Sequence, residues 1–172
     1  TWLVDDMNNF RKLNFASFDI IDISAASKNI WFPSFKKADV LVFGGGNVYH
    51  LLKWIKKSGL EKVLPELLKT KVYVGISAGS MVTAKNFSLS RSNILYYEKN
   101  RGLTHTKGLG FVDFEVRPHL NSKWFSKVRL DFLKKLSKET SNTFYAIDDD
   151  TAVEVVDGKI SIISVGKWKK FN

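Results

Sequence analysis

The sequence predicts an α/β fold, a mostly parallel sheet with helices on both faces, from three features of its 172 residues. Short apolar runs alternate with segments of helical spacing over most of the chain, the signature of strand–helix–strand units. Two of those runs, "VLVF" at 40–43 and "VYV" at 72–74, stop at glycine and are followed at once by helical patterns. The last stretch alternates in period two around Asp157–Gly158, which adds a C-terminal antiparallel β-hairpin. The length suits one domain, residues 1–172, with a single substantial core.

Taken in order, residues 5–14 read as a short helix and "FDIIDI" (18–23) as a strand. "ADVLVFGGG" is a strand that breaks at three glycines. "NVYHLLKWIKKSG" then sets Val48, Leu51, Leu52 and Ile55 on one helical face, with Asn47 as N-cap and Gly59 as stop. "LEKVLPELLKT" is a second helix in which Pro65 costs either the first turn or a kink. "KVYVG" is a strand, and "SAGSMVTAK" opens another helix. "FVDFEVRP" alternates as a half-exposed strand does. "SKWFSKVRLDFLKKLSK" is amphipathic, with Phe125, Val128, Phe132, Leu133 and Leu136 inward. "TFYAIDDDTAVEVVDGKISIISVGKW" is a strand followed by the hairpin.

Composition narrows the chemistry. There are no cysteines, so disulfides, zinc–thiolate centres and thiol nucleophiles are excluded, and a reducing compartment fits. No apolar run approaches the roughly 20 residues that span a bilayer, and the N-terminus lacks the basic-then-apolar layout of a signal peptide. The expectation is a cytoplasmic protein with no membrane partner. The formal net charge is +10, from 27 basic and 17 acidic residues. The lysines fall as scattered pairs (Lys36–Lys37, Lys56–Lys57, Lys134–Lys135, Lys169–Lys170) at element ends, the pattern of a solvated surface. No aromatic–basic nucleic-acid motif accompanies them, so no nucleic-acid partner is expected. Steering of an acidic substrate remains compatible with the charge.

Gly75-Ile76-Ser77-Ala78-Gly79 fits G-x-S-x-G between a strand and a helix. There the chain turns so sharply that the serine hydroxyl stands proud of the sheet, and small neighbours avoid clashes. The same glycines also suit an ordinary strand–helix turn. A nucleophilic serine needs a base and a group to orient that base. Of three histidines, His50 lies within a helical pattern and His105 in the polar loop "RGLTHTKG". His119, after Pro118 at a strand end, is the best base, because catalytic groups of open α/β sheets gather at the carboxyl ends of strands. The acid is open among Asp148, Asp149 and Asp150 in "AIDDDTAV" and Asp113 on the strand leading to His119. With His119 before the aspartate cluster, the order Ser, acid, His of α/β-hydrolases is broken unless Asp113 serves. Backbone donors for an oxyanion would come from Ala78 and from the Gly44-Gly45-Gly46 loop. That loop could also cradle phosphate, although neither phosphate-binding glycine fingerprint is present.

Four segments in order, "VLVFGGGNVYHLL", "VYVGISAGSMV", "RPHL" and "AIDDDTAVEVVDGKI", resemble the peptidase E and cyanophycinase family of serine peptidases over residues 15–165 or so. The resemblance implies a doubly wound sheet like that of class I glutamine amidotransferases and a Ser-His-Glu triad. Ser77 matches the nucleophile and His119 the base. Asp149 falls where a segment resembling "GIDEDTA" has its glutamate, one methylene longer. Gly45 or Gly46 and Ala78 would be the oxyanion donors, and Asn47 matches the asparagine that orders the glycine loop. No metal or organic cofactor is implied. The expected function is hydrolysis of small peptides, such as dipeptides with an N-terminal aspartate, through an acyl-enzyme, with a homodimer as a compatible assembly. The chain begins at a segment that follows the family's first strands, so it looks N-terminally short. The rival reading is a catalytically inactive relative that keeps the fold as a binding or assembly module.

Overall fold

The structure, a computed structural model, describes residues 2–99 and 105–172, with Trp2 and His105 described by backbone alone. In chain order the elements are α1 (Trp2–Arg11), α2 (Lys28–Lys37), β1 (Val40–Phe43), α3 (Val48–Lys57), α4 (Leu60–Leu67), β2 (Val72–Gly75), α5 (Ala78–Met81) and β3 (Asn86–Ser88). They continue with α6 (Leu89–Tyr96), β4 (His105–Lys107), β5 (Glu115–Arg117), α7 (Leu130–Ser137), β6 (Phe144–Ile147), β7 (Thr151–Val156), β8 (Lys159–Ser164) and β9 (Trp168–Phe171). The content is mixed α/β. Among the described residues no helix is long and apolar enough to cross a membrane.

Parallel pairing occurs as two separate ladders. β1 pairs with β2 in register Val40↔Val72 to Phe43↔Gly75, and β5 pairs with β6 from Glu115↔Phe144 to Arg117↔Ala146. A parallel bridge between Ala84 and Val112 lies between them in sequence. β9 adds to β6 antiparallel, β3 pairs with β4 antiparallel, and β7–β8 is the expected hairpin. Asp157 and Gly158 both have positive φ, as a two-residue turn matched to strand twist requires.

The core departs from the expected single cluster. The largest buried group surrounds β1 and β2 and takes its side chains from helical spacing: Val48, Leu52 and Ile55 of α3 and Leu60, Leu64 and Leu67 of α4. Two smaller groups flank β6. Phe144 and Ala146 face Leu133 and Leu136 of α7, whereas Tyr145 and Ile147 face Val153 and Ile162 of the hairpin. Strand alternation thus gives β6 two buried faces, one covered by helix and one by hairpin.

Several expectations are corrected. "FDIIDI" forms no strand; it runs unpaired into a turn that Asp22 closes, its carboxylate accepting from Ser24 N–H (2.8 Å) and its carbonyl from Ala26 N–H (2.8 Å). The unforeseen α2 carries Pro33 inside it and buries Trp31 completely. The helix expected from Ser122 starts only at Leu130, since the Arg129 guanidinium donates to the carbonyls of Ser122, Phe125 and Val128. Pro65 sits within α4 and leaves its first turn in place after Gly59 at φ 78°. The half-exposed strand through "FVDFEVRP" is instead buried throughout β5, because the hairpin covers its second face.

Burial of β5 encloses two charges. Glu115 and Arg117 are 4% and 3% exposed and pair directly, with Asn142 donating to the second carboxylate oxygen (3.1 Å). Losing one partner of a buried pair strands the other charge, whereas losing both removes the desolvation cost as well. Arg117→Met alone is therefore expected to destabilise by about 3–5 kcal/mol. The double variant Glu115→Leu/Arg117→Met should lose clearly less; urea unfolding of the three proteins checks this.

Candidate active site

Tight packing creates the corner at Ser77. β2 ends at Gly75, and the chain turns back into α5 with Ile76 N–H donating to the Phe43 carbonyl (2.9 Å) on the neighbouring strand. A Cβ at Gly79 would lie 1.9 Å from that same carbonyl oxygen, and one at Gly75 would lie 2.6 Å from the backbone of Gly79. Only glycine fits at either position. Wedged between them, Ser77 adopts φ 54°, ψ −112°, a conformation costly for a residue with a side chain. Its carbonyl receives the Ser80 hydroxyl (2.6 Å) and the Met81 N–H (3.2 Å). The Tyr73 hydroxyl donates to the Gly79 carbonyl (2.7 Å), and burial pushes that phenol far above its ordinary pKa, so it stays a neutral donor.

His119 arrives from the other parallel ladder. β5 and β6 end level with each other, and Leu120 N–H donates to the Ile147 carbonyl (2.9 Å), which brings the residues after both strands together. His119 has φ 65°, again a strained value for a side-chain-bearing residue. Its Nε2 lies 2.8 Å from Ser77 Oγ, and its Nδ1 lies 2.7 Å from Asp149 Oδ1. The three residues expected at the nucleophile, base and acid positions therefore form one continuous chain of contacts. The imidazole is 23% exposed and the Asp149 side chain 66%, so the carboxylate faces solvent on its outer side.

The neighbouring candidates fall elsewhere. Asp148 anchors the turn: it accepts from the Thr151 hydroxyl (2.7 Å), Asp150 N–H (3.2 Å) and Lys167 N–H. Partial burial works against its charge, but these donors outweigh that and hold its carboxyl below the usual range. Asp113 precedes β5, at the end of the ladder opposite His119, and lines a cavity with Lys85, Asn86 and Asn142. His50 is exposed on α3, its ring edge-on to Trp54. The His105 side chain lies outside the described residues.

Asn47 caps α3 as expected, its side chain accepting from His50 N–H (2.7 Å). Glu98 also reaches this helix start, accepting from Val48 N–H (2.7 Å), a contact between residues fifty apart that no local pattern signals. In the glycine loop, Gly46 has φ 116°, which glycine alone tolerates, and a Cβ at Gly44 or Gly46 would meet nothing within 4 Å. Two aromatic residues pack on His119: Phe125, 5.1 Å between ring centres, and Tyr96, edge-on at 6.5 Å. Phe125 was legible as an inward apolar position, but Tyr96 carries no sequence signal. Among the described residues no group of three or more His, Asp or Glu side chains could hold a metal ion.

Comparison with known proteins adds the following. The model of peptidase family S51 matches residues 2–163. An uncharacterized peptidase of Listeria innocua is 29% identical over 147 residues, covering 81% of this chain and 70% of the relative. Peptidase E of Shewanella oneidensis is 33% identical over 88 residues, 51% of this chain and 35% of that protein. A crystal structure from Listeria monocytogenes, provisionally named a peptidase E protein, superposes with a TM-score of 0.70 at 25% identity, over 86% of this chain and 70% of the other.

Two outcomes test the packing. Gly79→Ala places a methyl on the Phe43 carbonyl and should destabilise by at least about 3 kcal/mol or prevent folding, read by thermal unfolding. Asp148→Ala should lower the melting temperature at neutral pH. Because the folded-state pKa of Asp148 is depressed, its contribution is present above the ordinary carboxylate range and lost as pH falls through the lower folded value. The gap between wild type and variant should accordingly close in acid.

Proposed function

Because the chain belongs to peptidase family S51, we propose that it is a serine peptidase acting on small peptides, with dipeptides bearing an N-terminal acidic residue as its preferred class. The observation that carries the reading is the contact chain Ser77 Oγ–His119 Nε2 (2.8 Å) and His119 Nδ1–Asp149 Oδ1 (2.7 Å). That is the hydrogen-bond pattern of a nucleophile, a base and an orienting acid. A doubly wound sheet of the glutamine amidotransferase kind is part of the same proposal. It is supported by the strand–turn–helix at Ser77 and by parallel ladders that end at the site.

In this mechanism Ser77 Oγ attacks the peptide carbonyl carbon while His119 Nε2 takes the hydroxyl proton. Asp149 holds Nδ1–H and so fixes the tautomer with Nε2 free to accept. The negative charge on the tetrahedral oxygen would be met by Ala78 N–H and by Gly45 or Gly46 N–H. Open space above Gly46 supports an approach from that side. Collapse breaks the C–N bond, and His119 returns its proton to the leaving amine. Water then attacks the acyl ester, giving one proton to His119, and the Ser77 hydroxyl is restored as the free acid departs. A net charge of +10 supports electrostatic enrichment of acidic substrates.

Release of free amino acid from a dipeptide panel that includes Asp-Leu tests the proposal. Wild type should cleave, and Ser77→Ala should lose about 10⁴-fold or more in kcat while remaining folded. Asp149→Asn should lose about 10- to 10³-fold, less than a buried acid would, because a carboxylate largely in water orients the ring more weakly. Raising salt should lower kcat/KM for the acidic dipeptide more than for a neutral one. A folded wild type that cleaves nothing in the panel would return the assignment to a binding or assembly module.

A further inference from the structure

We infer that Tyr96 is a positioning residue for His119, holding its backbone through the Pro118 carbonyl and its ring from the buried side; the inference rests on the serine-peptidase reading. A base at 2.8 Å from its nucleophile must keep one ring orientation, and something other than the acid has to supply it. Asp149 is 66% exposed, so its pairing with Nδ1 is screened by water and costs side-chain freedom. The buried flank of the imidazole offers a firmer hold.

Tyr96 ends α6 with its side chain partly buried, and its hydroxyl donates to the carbonyl of Pro118 (3.2 Å), the residue immediately before His119. Burial raises the phenol's pKa far above its ordinary value, with Glu98 and Glu115 adding to that effect and Arg117 opposing it, so the hydroxyl is a permanent donor. On either side of that carbonyl the chain has little freedom. Pro118 has a fixed φ, His119 sits at φ 65°, and the His119 carbonyl accepts from Ser122 N–H (3.0 Å).

The ring is held as well. Tyr96 meets the imidazole edge-on at 6.5 Å and 74°, and meets Phe125 edge-on at 5.3 Å. Phe125 lies against the imidazole at 5.1 Å and 35°. Phe125 is itself fixed, because Arg129 donates to its carbonyl (3.1 Å) and Tyr97 bonds the next side chain, Ser126 (2.6 Å). The imidazole is thus flanked by two aromatic rings that also pack on each other, which restricts rotation about its Cβ–Cγ bond. Its in-plane nitrogens are left pointing at Ser77 and Asp149.

Tyr96→Phe removes only the hydroxyl, keeping the ring. Its steady-state kinetics on a cleaved dipeptide should show kcat reduced about tenfold with KM within about twofold, because a misaimed base harms the transition state rather than binding. The pH profile of kcat/KM should move on its acid limb. The ¹⁵N and ¹H resonances of the His119 imidazole should also shift and broaden in the uncomplexed protein. Phe125→Leu should produce the same pattern, and Tyr145→Phe, which removes a tyrosine hydroxyl that does not touch His119 or Pro118, should not. Wild-type kcat and unchanged His119 resonances in Tyr96→Phe would overturn the inference, as would an equal loss in Tyr145→Phe. A wild type inert on every dipeptide would overturn the peptidase reading instead, and the imidazole resonances would still decide whether Tyr96 holds the ring.

Discussion

Everything at the candidate site depends on how closely α5 approaches the end of β1. Phe43 uses one carbonyl to accept Ile76 N–H, and the same oxygen leaves no room for a side chain at Gly79. That contact fixes where the chain must turn, and the turn is what forces Ser77 into positive φ. Strain of this kind costs on the order of 1–3 kcal/mol and persists only where surrounding structure over-determines it. Here the surroundings are a four-residue parallel ladder, the Tyr73 hydroxyl on Gly79 and the Ser80 hydroxyl on Ser77. The serine is presented by the backbone, with no flexible side chain needed to aim it.

The histidine is presented by a different device. β5 and β6 are short, and the level ending of that ladder brings His119 and Asp149 to the same edge. Its rigidity comes from burial on both faces, which is why a strand of three residues can hold a buried Glu115–Arg117 pair and still define a site. Two ladders built independently thus meet at a single 2.8 Å contact between Ser77 and His119.

Local grammar carried much of this into the sequence. Strand ends at Gly44 and Gly75, the cap at Asn47, the hairpin turn at Asp157–Gly158 and the serine corner all follow from short-range rules, and all are present. Four ordered motifs resembling peptidase E pointed to the family to which the chain belongs. The errors share a different origin. The "FDIIDI" run has the composition of a strand, but it pairs with no described strand and ends in a turn closed by Asp22. The start of α7 was displaced by Arg129, whose guanidinium takes carbonyls that an earlier helix would have used. The burial of β5 depends on a hairpin more than thirty residues later, which no window of sequence around Glu115 can report. Tyr96 was invisible for the same reason, since its partners Pro118, His119 and Phe125 are brought to it only by the fold.

The choice among three consecutive aspartates illustrates how the turn divides labour. Residues 148, 149 and 150 cannot all face one way, and like charges at such spacing repel unless each has its own donors. Asp148 takes the structural part, gathering Thr151, Asp150 and Lys167 donors that tie β6 to the hairpin and to β9. Asp150 gives its carbonyl to Val165 N–H, closing the base of the hairpin. With the Asp148 carboxylate and the Asp150 backbone holding the turn, Asp149 is the carboxylate that reaches His119 Nδ1. The short side chain has few rotamers to lose, which suits a position where water screens the attraction. The hairpin that looks like an appendage in sequence therefore anchors the turn from which Asp149 meets His119.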